Sequence, residues 1–380
     1  NIGMVYKSMG EYSKALEYCE KSLEIRKKAL PANHPSLATS YNNIGSVYDS
    51  MGEYSKALEY YEKDLEISKK NLPANHPSLA ISYNNIGLVY RSMGKYSKAL
   101  EYFEKSLEIM KKALQENHPD LATSYNNIGN LYYRMGGYSK ALEYYGKSLE
   151  IVRKALHENH PDLATSYNNI GMVYKSMGEY SKALEYCEKS LEIRKKTLPQ
   201  NHPDLANSYN NIGTVYNAMG EYSKALESYE KSFEIRKKAL PENHPSLATS
   251  YNNIGNVYDS MGEYSKALEY YEKSLEIEKK ALPENHPDLA NSYNNIGTVY
   301  NAMGEYSKAL EYYGKSFEIR KKNLPPNHPD LANSYNNIGL VYRSMGKYSK
   351  ALEYFEKSFE IRKKTLPENH PDLATSYNNI

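Results

Sequence analysis

Only two of the 380 residues are cysteine, no apolar run approaches the length of a membrane span, and neither sign of charge prevails. Each scarcity excludes something. Two thiols cannot staple a chain of this size, so a disulfide scaffold is ruled out. A spanning helix needs roughly 18 consecutive apolar residues, and none is present. The 48 lysines and arginines are set against 46 acids, for a net charge of +2, and they form no basic stripe. Glu59 precedes Lys63 and Glu66 precedes Lys70 at the i,i+4 spacing that pairs charges along one helix. Nucleic acid and membrane are therefore not expected as partners.

Cys19 and Cys187 occupy one place in copies four periods apart, where other copies carry Tyr61, Phe103 or Tyr145. They stand in for core aromatics and are expected to be buried free thiols. With no Asn-x-Ser/Thr acceptor in the chain, this usage points to a reducing, cytoplasmic setting.

What the chain has in abundance is itself. Isoleucine recurs at Ile2, Ile44, Ile86 and onward to Ile338 and Ile380 at an unbroken spacing of 42, which makes nine periods without an insertion. A fixed period in this range marks a solenoid, propeller or array. The count opens inside a first helix at Asn1-Ile2-Gly3 and stops inside another at Asn379-Ile380. The expectation is one array over residues 1–380, cut in mid-repeat at both ends, and so a fragment of a longer chain.

One period explains why copies must stack. In "HPSLATSYNNIGSVYDSM" (34–51), proline suits the first helical turn, where no N–H partner is needed, and His34 is the expected N-cap. Leu37, Tyr41, Ile44, Tyr48 and Met51 follow in steps of four and three, as one helix face requires, and Gly52 ends the helix. A second helix is expected from Tyr54 to about Leu72. It carries two apolar stripes, one through Leu58, Tyr61 and Leu65 and one through Ala57, Tyr60 and Ile67. A helix with two apolar faces needs two neighbours, its own first helix and that of the next period, so the pair cannot be buried alone.

Tyr41, Ile44-Gly45, Tyr48, Ala57 and Tyr61 resemble, in order, the tetratricopeptide pattern, and the match recurs in every complete period. The longer 42-residue form, with "NHPDLA" before "YNNIG" and "EYSKALEYYEKSLEI" after it, is similar to the repeats of kinesin light chains and their relatives. The resemblance implies an all-α fold, an α-solenoid wound as a right-handed superhelix of helix pairs. It implies that first helices line a concave wall where peptides bind. It also leaves open a cargo adaptor of the kinesin light chain type, or the sensing arm of a larger enzyme or signalling ATPase.

Between copies, Tyr41, Asn42, Asn43, Ile44, Gly45 and Tyr48 never change, whereas the columns headed by Thr39, Ser46 and Asp49 do. At about 100° per residue these three and Asn42 share one strip, roughly 160° from the core stripe. Two readings compete. A solvated face drifts freely, as the Arg26, Ser68, Met110, Val152 column of the second helix is taken to do. A binding groove, by contrast, mixes anchors and charges, as this strip does with Met4, Ile81, Leu88, Tyr133, Met172 and Leu340 beside Lys7, Arg91, Lys175 and Arg343. The groove reading is preferred.

The amide column of Asn42, Asn84, Asn126, Asn168, Asn210, Asn252, Asn294 and Asn336 would then hold a peptide main chain, since an amide both donates and accepts. Selection among side chains falls to Ser46, Leu88, Asn130, Met172, Thr214, Asn256, Thr298 and Leu340, to Asp49, Arg91, Tyr133, Lys175, Asn217, Asp259, Asn301 and Arg343, and to Ile81. Asn43 is expected to bridge helices instead.

Catalysis is not expected. The repeated histidines, one per copy on helices about 8–10 Å apart, are poorly placed to converge on one metal ion. The carboxylates alternate with lysines on an exposed face, which does not prepare them for general acid work. There is no Gly-rich phosphate loop, nucleophile elbow or Cys/His cluster. No cofactor or small-molecule substrate is expected, and the partners are proteins or peptides.

Overall fold

The computed structural model describes residues 2–365 and 371–379, and among these all regular structure is α-helical. Asn1 and Ile380, the first and last residues of the expected array, lie outside the described residues. The chain forms two compact units, Asn1–Thr197 and Leu198–Ile380. The first holds α1 (Ile2–Ser8), α2 (Tyr12–Ala29), α3 (Pro35–Ser50), α4 (Tyr54–Asn71), α5 (Pro77–Ser92), α6 (Tyr96–Ala113), α7 (Pro119–Arg134), α8 (Tyr138–Ala155), α9 (Pro161–Ser176) and α10 (Tyr180–Thr197). The second holds α11 (Pro203–Ala218), α12 (Tyr222–Ala239), α13 (Pro245–Ser260), α14 (Tyr264–Ala281), α15 (Pro287–Ala302), α16 (Tyr306–Asn323), α17 (Pro329–Ser344), α18 (Tyr348–Thr365) and α19 (Pro371–Asn379). Within each unit, every second helix packs on its own first helix and on the next one, so each unit is a helical solenoid.

Local chemistry sets the helix ends. His34 is the N-cap of α3: its Nδ1 accepts from the Ser36 N–H at 3.2 Å, and Pro35 starts the helix. The same bond recurs from His76 through His328, so these histidines serve the backbone. At the other end Gly52 takes φ +75°, and the Glu53 N–H reaches the Tyr48 carbonyl at 2.9 Å while the Gly52 N–H reaches that of Asp49 at 3.0 Å. These are the two bonds of a Schellman stop, which glycine permits without a Cβ penalty.

The core differs from the expected stripe in one respect. Leu37 and Ile44 are buried as expected and Tyr41 and Tyr48 half-buried, but Met51 is exposed at the C-cap, and Ala38 and Val47 fill the core instead. The Schellman turn swings the chain away before Met51 can face α4. On the second helix Ala57, Tyr61, Leu65 and Ile67 are buried, with Leu58 and Tyr60 partly so. Gly45 lets the Tyr61 ring lie on the first helix; a Cβ there would sit 3.0 Å from it. Cys19 and Cys187 are buried free thiols in the place of that ring, as expected.

Candidate functional site

The strip of first-helix residues falls in unit 1 on α3, α5, α7 and α9, and in unit 2 on α11, α13, α15 and α17. All 25 side chains lie at the surface of their helices. Ile81, Thr298 and Arg343 are exposed and the remainder are half-buried.

The Asn42 column is partly committed. Asn85 Nδ2 donates to Asn42 Oδ1 at 2.9 Å, Asn127 to Asn84 at 2.8 Å and Asn169 to Asn126 at 2.9 Å. In unit 2 the bonds run from Asn253 to Asn210, Asn295 to Asn252, Asn337 to Asn294 and Asn379 to Asn336, at 2.8–3.1 Å. The Asn43-type residue bridges helices, and its acceptor is the Asn42-type residue of the preceding copy. The side-chain oxygens of these seven residues are therefore engaged within the protein, while their amide N–H groups are not committed by these bonds.

The Ser46 column follows a rule of packing. Tyr229 donates to Thr214 at 3.1 Å and Tyr271 to Asn256 at 2.6 Å, while the Thr298 and Tyr313 hydroxyls lie 3.0 Å apart. Ser46 likewise meets the Tyr61 hydroxyl, whose pKa burial and the nearby Asp49 push up to about 12. Where the ring is Phe103 or Phe355 the first helix carries Leu88 or Leu340, and where it is Cys19 or Cys187 it carries Met4 or Met172. A tyrosine hydroxyl buried in the pair requires a polar partner and a phenyl ring does not. Variation at this column thus answers to the residue 15 positions on. The signal was legible by comparing pairs of columns rather than single ones.

The Asp49 column carries the remaining charge. Burial raises the Asp49 carboxyl, while Lys7 and Arg91 on the adjacent first helices pull it down. Lys7 also donates to Ser46. Burial, with Arg134 nearby, lowers the pKa of Arg91, against Asp49 and Tyr145. The Tyr133 hydroxyl meets Ser176 Oγ at 3.0 Å. In unit 2 the column reads Asn217, Asp259, Asn301, Arg343. Asn217 Oδ1 and Asn301 Oδ1 are buried without a hydrogen-bond partner, and Asp259 is raised by burial alone.

The second-helix column expected to be solvated instead faces the seam between successive pairs, where Arg26, Arg194 and Arg320 are half-buried and the others buried. Ser68, Met110, Val152, Arg236 and Glu278 are each at most 8% exposed. Arg236 threads the seam, donating to Ser250 Oγ at 2.8 Å in the next pair and to Asn207 Oδ1 at 3.1 Å in its own. Arg320 does the same with Ser334 and Asn291, and Arg362 with Ser376 and Asn333. In these three pairs the Thr39-column residue is asparagine, whereas the pair of Arg194 carries Thr165. Among the described residues no group of His, Cys, Asp or Glu is arranged to hold a metal ion, and no helix is long and apolar enough to cross a membrane.

Helix pairs of this kind, each stacked on the next, define a helical-repeat solenoid. The tetratricopeptide repeat profile matches in overlapping pairs of copies, at 1–70, 57–112, 78–154, 120–196, 162–238, 204–280, 248–322, 288–364 and 330–380, and the chain belongs to that family. No curated protein matches it. Among solved structures, BtubC (BKLC) from P. vanneervenii is 24% identical over 60% of this chain and 92% of its own, with a TM-score of 0.53. The nearly identical TPR-like repeats of a candidate kinesin light chain from Podosopora anserina are 28% identical over 55% of this chain and 99% of theirs, with a TM-score of 0.48. A Rap protein complexed with competence and sporulation factor is 16% identical over 99% and 97%, with a TM-score of 0.61. BtubC and the Rap protein share the fold.

Proposed function

We propose that the chain is a protein-interaction scaffold that lays an extended segment of a partner along its first-helix face. The observation that carries this reading is the row Asn217, Asp259, Asn301. Three acceptors stand at one position of three successive copies; among the described residues two of them are buried without a donor and the third is desolvated with no ion pair. Leaving buried acceptors unmade costs about 1–3 kcal/mol each, and both asparagine side chains are half-buried, so an amide that turns toward a ligand donor would recover that cost. The amide N–H groups of the Asn42 column would hold the main chain and the Asp49 column would choose among side chains. The Rap protein that shares this fold carries a bound factor, which agrees with such use. The free thiols fit a reducing cytoplasm.

A peptide array tests it. Arg91→Glu should turn selection away from acidic peptides and flatten the salt dependence of binding. Asn217→Leu with Asn301→Leu should weaken peptides that bind unit 2, by about 1 kcal/mol for each bond lost. The control is Glu66→Lys, on an exposed second-helix face. Equal effects of Glu66→Lys and Arg91→Glu would reduce the strip to a solvated face.

A further inference from the structure

At three seams an arginine guanidinium lies between the Thr39-type residue of its own pair and the buried serine of the next, as Arg236 lies between Asn207 and Ser250, Arg320 between Asn291 and Ser334, and Arg362 between Asn333 and Ser376. In the α3–α4 pair the seam residue is Ser68, too short to reach. The corresponding place, bounded by Thr39 and Ser82, is a recess of about 330 Å³ that opens beside Asn42 and Ile81.

A second departure falls one turn away. Asp64 stands where eight other copies have serine, as at Ser22, Ser106 and Ser274. Asp64 lines the recess and is only 5% exposed. Its Oδ2 accepts from Ser82 Oγ at 2.6 Å and its Oδ1 from Ser68 Oγ at 3.4 Å, and among the described residues it forms no ion pair. Two hydroxyls serve about half of a carboxylate's acceptor capacity and bring no positive charge. The neighbouring recesses at Met110 and Val152 have Ser106 and Ser148 in the place of Asp64, and the carboxylates that line them, Asp120 and Asp162, are exposed at the position of Ser78.

We propose that this recess takes the guanidinium of an arginine side chain from a bound peptide, paired with Asp64 in the place that the chain's own arginines occupy at other seams. Arginine suits the site because a planar fork can bond the carboxylate while its edge meets Thr39 and Ser82, as Arg236 meets Asn207 and Ser250. The arrival of the side chain from the first-helix face rests on the function proposed above; the affinity of the recess for a guanidinium does not.

The test uses the full chain and two capped octapeptides of alanine and serine, one with a central arginine and one with citrulline, which keeps the shape and loses the charge. Calorimetry should give the arginine peptide at least tenfold tighter binding. Asp64→Asn should remove that preference. So should Asp64→Ser with Ser68→Arg, which installs the residues of the Ser22 and Arg26 seam and should leave the unfolding midpoint intact. Ethylguanidinium alone should shift the Ser82 amide resonance in the wild type and not in the double variant. If both peptides bind equally, the recess proposal falls and the groove stands. If neither peptide binds while ethylguanidinium still shifts Ser82, the groove reading falls and the recess stands. An unmoved Ser82 resonance overturns the recess.

Discussion

The Tyr271 hydroxyl donates to Asn256 Oδ1 at 2.6 Å across the α13–α14 pair, and the equivalent pair with phenylalanine, Leu88 and Phe103, has neither polar group. Either combination satisfies itself; a mixture does not. Asn256→Leu should therefore destabilise unit 2 by about 1–3 kcal/mol, by leaving a buried hydroxyl unpaired. Adding Tyr271→Phe should restore most of the loss, a coupling of about 0.5–3 kcal/mol in a double-mutant cycle. Denaturant unfolding of the four proteins measures it. Additive losses would mean that the two columns vary independently.

Two glycines on helices should respond to alanine with opposite signs. At Gly87 a Cβ would lie 2.7 Å from the Phe103 ring, whereas at Gly146, in the middle of α8, nothing lies within 4 Å. Gly87→Ala should cost about 1–3 kcal/mol through overpacking. Gly146→Ala should gain up to about 1 kcal/mol, because alanine loses less backbone freedom in a helix. Urea midpoints that move in the same direction would contradict the close approach at Gly87.

Asp64 makes stability depend on pH in a direction opposite to most carboxylates. Burial raises its pKa, against the smaller opposing pull of the Ser82 and Ser68 hydroxyls. The folded protein then holds this proton more tightly than the unfolded chain, so its contribution is fully present below the ordinary aspartate pKa of about 3.9 and is lost as pH rises through the raised value. Asp64→Asn keeps an acceptor for Ser82 and removes the charge. The variant should melt higher than the wild type at pH 7, with the difference closing toward pH 3.5. A constant difference across that range would show that charge is not its cause.

The period, the two helices, the histidine caps and the terminating glycines were all legible in the chain, because each depends on residues a few positions apart. Tyr41, Ile44 and Ala57 announce a pair that must stack, and the structure places them so. The seam was not legible. Arg26 and Val152 in one column look like drift on a wet face, and only the stacking of the next first helix buries that column. Met51 misled for a related reason, since a 3.6-residue pattern continues on paper past the turn where Gly52 stops the helix. The Ser46 column invited a ligand-based account because its partner, 15 residues on, lies on another helix. Sorted by that partner, Ser46, Leu88, Asn130, Met172 and Thr214 make five distinct matched pairs.

The two thiols give a local probe of unit 1. Cys187 is 1% exposed, and burial, with Glu188 adding to it, pushes its pKa up to about 12. Cys19 is 8% exposed and is raised by burial as well. At pH 8 a thiol with a pKa near 12 is thiolate in only about one molecule in 10⁴, and reagents attack the thiolate. Both positions should therefore resist a disulfide reagent in the native protein and react fully in denaturant. Cys19 should label first, because it is the more exposed. The Cys187 rate should track the opening of α9 from α10, since Gly171 lies directly against its Sγ, where an added Cβ would be 2.8 Å away. Rising urea should accelerate Cys187 well before the global transition if the repeats open singly, as a chain of nearest-neighbour contacts predicts. Labelling of Cys187 as fast as Cys19 in native buffer would overturn its burial in the α9–α10 pair.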